Sequence, residues 1–108
     1  MVKLILPLKA EYFDAIRGGN KTEEYRLANA YWSKRLIIGG VRGVLHRSFE
    51  GIVLTKGYPS RDDQSRRLEL PWNGFIRKTI THPHFGPDPV EVFAVDVSHR
   101  AALGRSEG

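Results

Sequence analysis

The sequence predicts an α+β domain in which two early amphipathic helices precede a β-rich remainder, with the strands forming a curved sheet or small barrel covered on one side. Three observations carry that reading. Apolar residues alternate at Val2, Leu4, Leu6 and Leu8, then fall at helical spacing at Tyr12, Phe13 and Ile16. Later stretches rich in β-branched and aromatic residues are separated by clusters of glycine and proline.

Each element has its own signal. Residues 2–8 read as a strand with one apolar face, its end marked by Pro7. Residues 10–17 read as a short helix stopped by Gly18-Gly19. Residues 21–27 read as extended. Asn29 is placed to cap a second helix in which Tyr31 aligns with Arg35 and Trp32 with Leu36, the latter pair as core. Gly39-Gly40 and Gly43 break the chain, and strands are expected at 44–49, 51–58, 75–81 and 91–97. In the last of these, Phe93, Val95 and Val97 share one face. Polar residues make a loop of 59–65, and three prolines with a glycine keep 82–89 irregular. Trp72, between Pro71 and Asn73, is expected to plug the open end of the sheet rather than wall a pocket.

At 108 residues the chain matches one domain, expected at 1–99, with 100–108 as a flexible tail of small and polar residues. Hydrophobic content of 41% and charged content of 27% are ordinary globular values, which argues against disorder and against a membrane protein. The apolar runs are too short to span a bilayer or serve as a secretory leader, so a cytoplasmic location is expected, and the chain is expected to be a monomer. Absence of cysteine excludes disulfides and thiolate chemistry. His82-Pro83-His84 supplies two imidazoles and no thiolate to complete a metal set, so neither a metal nor another cofactor is expected. A net charge of +5 suits a polyanionic partner.

The densest chemistry lies in Gly19-Asn20-Lys21-Thr22-Glu23-Glu24-Tyr25-Arg26. If this stretch is extended, Thr22, Glu24 and Arg26 share a face and Lys21 leans in from the turn. Arginine offers a planar donor fork, lysine a point charge, and glutamate an acceptor or general base. A plain surface ion pair explains the same residues without function. A second concentration, Lys56-Gly57-Tyr58-Pro59 with Arg61, Arg66 and Arg67, sets a ring beside cations, as a lip for a nucleotide strand would. On the second helix, Tyr31 and Arg35 are the surface candidates.

With the flanking Leu8-Lys9-Ala10-Glu11-Tyr12-Phe13, the later Tyr31-Trp32-Ser33-Lys34-Arg35-Leu36 and the Thr81-His82-Pro83-His84-Phe85-Gly86 stretch, the chain resembles the ASCH domain family. The family's GxKxxExR hallmark is met by Gly19, Lys21, Glu24 and Arg26. The resemblance implies a PUA-like β-barrel of about five to six strands with two or more flanking helices. It also implies a cleft for RNA, another single-stranded nucleic acid, or a modified nucleoside, with no membrane partner. Together with the residues read above, the expected binding set is Arg26, Tyr31, Arg35, Lys56, Tyr58, Arg67, Lys78 and His84. The alternative implied by the family is a hydrolase, either a ribonuclease or an N4-acetylcytidine-type amidohydrolase, with Lys21 and Glu24 as catalytic residues. The amidohydrolase branch uses a threonine where this chain has Glu24, so its hydroxyl nucleophile is missing here.

Overall fold

Alternation at the start of the chain does produce a strand, and the first helix follows within two residues. The structure is a computed structural model that describes residues 2–40 and 43–99. Its elements are β1 (Leu4–Leu8), α1 (Ala10–Arg17), β2 (Glu23–Leu27), α2 (Ala30–Leu36), β3 (Ile37–Gly40), β4 (Gly43–His46), β5 (Ile52–Lys56), β6 (Arg67–Leu70), β7 (Phe75–Ile80) and β8 (Val90–Asp96). Short 3-10 turns occupy Gln64–Arg66 and Pro83–Phe85. The α+β class therefore stands. Pairings among the described residues leave two open three-stranded sheets and one hairpin, and no closed barrel. No helix among them is long and apolar enough to cross a membrane. The expected tail at 100–108 lies outside the described residues.

The chain divides into two compact units, each assembled from separate stretches. Described parts of Met1–Glu23, Phe49–Asn73 and Asp96–Gly108 make the first, and those of Glu24–Ser48 and Gly74–Val95 the second.

In the first unit the sheet order is β1-β5-β6, with β1 parallel to β5 and β5 antiparallel to β6. Leu4 and Leu6 stand opposite Ile52 and Leu54, so the buried faces of β1 and β5 coincide. Phe13 and Ile16 of α1 complete this core without exposure. Each such fully withdrawn side chain contributes about 1.5–3 kcal/mol. Two strand expectations shift. Val2 is 65% exposed and precedes β1. Pro7 does not end the strand, which runs on to Leu8, because β1 is a sheet edge and an edge tolerates a residue with no N–H. Strand β6 was not foreseen; its alternation of Leu68 and Leu70 with Arg67 and Glu69 is too short to stand out from the basic loop before it.

In the second unit the order is β2-β8-β7, with β3 and β4 as a separate antiparallel hairpin. Strand β8 is the middle strand. Phe93 and Val95 are buried as expected, but so are Val92 and Ala94 on the opposite face, where Lys78 and Ile76 of β7 stand across from them. Helix α2 begins where its cap predicts, with the Asn29 side-chain oxygen accepting from the Trp32 N–H at 2.9 Å. It then passes directly into β3. Gly39 and Gly40, expected to break the chain, instead pair with Val44 and Gly43. The far end of the hairpin holds the helix: the Arg47 N–H donates to the Leu36 carbonyl at 2.8 Å, and Arg47 Nε to the Arg35 carbonyl at 3.1 Å.

Candidate functional site

Residue Lys21 owes its position to the way α1 stops. Gly19, with φ of +84°, sits in the left-handed region that glycine adopts without a steric penalty. Its N–H donates to the Ile16 carbonyl at 3.0 Å, and the Asn20 N–H reaches back to the Ala15 carbonyl at 2.9 Å. These are the two reverse bonds of a Schellman stop, and the Lys21 N–H joins them on the Ala15 carbonyl at 3.1 Å. The Lys21 ammonium then lies 5.3 Å from the centre of the Tyr12 ring. All of this belongs to the first unit.

Glu24 and Arg26 belong to the second unit, two residues apart on β2 and on one face, as the alternation predicts. Arg26 Nη1 donates to Glu24 Oε2, and also to the Tyr25 carbonyl at 3.1 Å. The pair is well sheltered, with 5% of the Glu24 side chain and 17% of the Arg26 side chain exposed. A carboxylate this withdrawn is held by its guanidinium partner, because burial without such a partner is costly.

The guanidinium continues outward into a ladder of alternating cations and rings. Arg26 Cζ lies 5.4 Å from the Trp32 ring centre, and Arg35 Cζ lies 5.9 Å from the same centre. Arg35 also covers Tyr31 at 4.6 Å, while the two rings meet edge to face at 5.1 Å. Tyr31 is 57% exposed, so the outer rung faces solvent. Sequence spacing assigned Trp32 to the core beside Leu36. The structure buries Leu36 fully and leaves Trp32 half-buried between two guanidiniums. The only sequence signal for this was Arg35, three residues on along the helix.

Behind β2, on its alternate face, Tyr25 sits among different partners. The Lys78 ammonium lies 5.9 Å from its ring centre and the His82 ring 6.1 Å away. His84 donates its backbone N–H to His82 Nδ1 at 3.1 Å and sets its own ring edge-on to Phe85 at 4.9 Å. The expected residues Lys78 and His84 thus gather around Tyr25 and Phe85, neither of which the sequence singled out as a contact. Glu24 and Arg26 lie on the other side of the strand.

The remaining candidates are in the first unit. Lys56 is tied to Asp14 at 3.0 Å, with its ammonium 5.6 Å from the Phe13 ring centre. Arg67 Nη2 donates to the Ser60 carbonyl at 3.1 Å, which braces the loop. Tyr58 is 90% exposed. Trp72 meets Phe49 edge to face at 4.9 Å and is half-buried. In the same loop, Asp63 accepts from the Ser65 hydroxyl at 2.6 Å and its N–H at 3.1 Å. That hydroxyl bond, helped by the nearby Arg66, holds the Asp63 carboxyl below its ordinary value.

Among the described residues, no group of three or more His, Asp or Glu side chains is placed to hold a metal ion. Chemically, the ladder offers a ring face, fixed guanidinium charge and a buried carboxylate that orients one of those charges. Compared with known protein families, curated proteins and solved structures, the chain finds no match.

Proposed function

We propose that this chain is an ASCH-type domain of the PUA-like class that binds RNA or a modified nucleoside, with the Arg26–Trp32–Arg35–Tyr31 ladder as a principal contact. The ladder is the observation that carries the reading. Rings flanked by guanidiniums stack on bases while the cations meet phosphate, and the outermost ring is open to solvent. The net charge of +5 favours the same ligand class. In this reading Glu24 is a positioning residue: its carboxylate is 5% exposed and engaged by Arg26, which suits fixing a guanidinium better than taking a proton from a bound substrate.

The test combines binding and turnover. Labelled single-stranded RNA is titrated into the wild type, Tyr31→Ala, Arg35→Ala and Lys21→Ala by fluorescence anisotropy across a salt series, and N4-acetylcytidine is incubated with the same proteins and with Glu24→Gln. The expected result is salt-sensitive RNA binding, weakened in Tyr31→Ala and Arg35→Ala, with no product formed. Loss of one phosphate contact lowers the salt slope by about 0.7. Release of cytidine by the wild type and not by Lys21→Ala or Glu24→Gln would replace the binding reading with the hydrolytic one. RNA affinity unchanged in both ladder variants would remove the ladder from the site.

A further inference from the structure

Tyr58 stands apart from every other large side chain in the described structure. At 90% exposure it is the most open of the large hydrophobic residues and adds nothing to either core. Its stalk is nonetheless fixed. Gly57 holds a φ of +67°, its N–H donates to the Leu8 carbonyl at 2.8 Å, and its own carbonyl accepts from the buried Thr55 hydroxyl at 2.8 Å. Pro59 restricts the other side. A ring presented on an anchored turn loses little freedom when something stacks on it.

The charges carried by the same loop point to the occupant. Between 56 and 67 stand Lys56, Arg61, Arg66 and Arg67, together with Asp62 and Asp63. Lys56 and Arg67 are spent on internal ties to Asp14 and the Ser60 carbonyl. Arg61 and Arg66 remain exposed, with the Arg66 side chain 55% open although it contacts Asp63 at 3.4 Å. An open ring with cations in the same loop matches an unpaired base with its phosphates, since duplex bases keep their faces stacked inside the helix.

We propose that the Gly57-Tyr58-Pro59 turn is a base-stacking contact that makes the ligand a single-stranded oligonucleotide rather than a lone nucleoside or a duplex. This rests on the nucleic-acid reading above. The alternative of a protein partner at the same ring is an outcome of the test.

The experiment uses the full chain and fluorescein-labelled RNA of about 12 nucleotides, single-stranded or as a hairpin duplex, at about 50 mM salt. Tyr58→Ala is expected to weaken single-strand binding roughly 5- to 150-fold with duplex affinity and salt slope unchanged. Tyr58→Trp is expected to restore it. Arg61→Ala combined with Arg66→Ala is expected to lower the salt slope by about 1.4. Single-strand affinity equal in the wild type and Tyr58→Ala overturns the stacking contact and leaves the ring to a protein partner. If Tyr31→Ala still weakens binding in that case, the ladder reading survives. Equal losses on single strand and duplex also overturn stacking. No binding of either RNA by the wild type overturns the stacking contact and the RNA reading together.

Discussion

Replacing Arg26 by methionine removes the guanidinium and keeps most of the side-chain volume. The variant loses a charge-assisted hydrogen bond to a carboxylate that is 5% exposed, a loss of about 1.5–3 kcal/mol. It also loses the contact of Arg26 Cζ with the Trp32 ring at 5.4 Å, a further loss of about 0.5–1 kcal/mol. The sum is about 2–4 kcal/mol, below the upper end seen on breaking a fully buried pair, because 17% of the Arg26 side chain still meets water and Glu24 has other interactions. With a urea slope of about 2 kcal/mol per M, in the middle of the usual range, the midpoint should fall by about 1–2 M. Adding Glu24→Gln removes the stranded charge, so the double variant should recover part of that loss, with a coupling energy of about 1.5–3 kcal/mol. Urea unfolding followed by circular dichroism and by the fluorescence of Trp32 and Trp72, one in each unit, measures all four corners of the cycle. A midpoint for Arg26→Met within about 0.3 M of the wild type would show that the pair does no work. Additive single and double variants would refute the buried-pair argument even if each one is destabilised.

Three further outcomes follow from local geometry. Gly19→Ala should cost about 1–2 kcal/mol in urea unfolding, purely from backbone conformation, because no atom lies within 4 Å of the added carbon; an unchanged midpoint would count against the left-handed stop. Asn29→Ala removes the α2 cap and should cost about 1 kcal/mol, with helical signal lost on circular dichroism; full retention would mean the hairpin alone holds the helix. Asp63 should titrate below its ordinary 3.8, and Ser65→Ala should move it upward when followed by carboxyl NMR shifts. Because the folded value is depressed, the contribution of this carboxylate is present above 3.8 and fades as pH falls through the folded value; a titration at or above 3.8 in the wild type would contradict the hydroxyl bond.

Features set by neighbours along the chain were legible without coordinates. Alternation placed Leu4, Leu6 and Leu8 inside, helical spacing placed Phe13 and Ile16, Gly19 marked the helix stop, and Asn29 marked the next start. The pairing of Glu24 with Arg26 followed from period two on a strand. Each is a preference expressed within a few residues, which is why order of types sufficed.

Partners distant in sequence were decided only by tertiary structure. Pro7 stays inside β1 because the strand lies at an edge, a position that no residue of the strand encodes, and β8, the middle strand of its sheet, is buried on both faces. Trp32 became the centre of a ladder because Arg26 arrives from another element. Tyr25 likewise met Lys78 and His82 across the sheet. The sequence by itself determined which residues alternate, cap and stop. Sheet order decided which side chains meet, because a long-range contact depends on the register of separate segments and not on the preferences of either one.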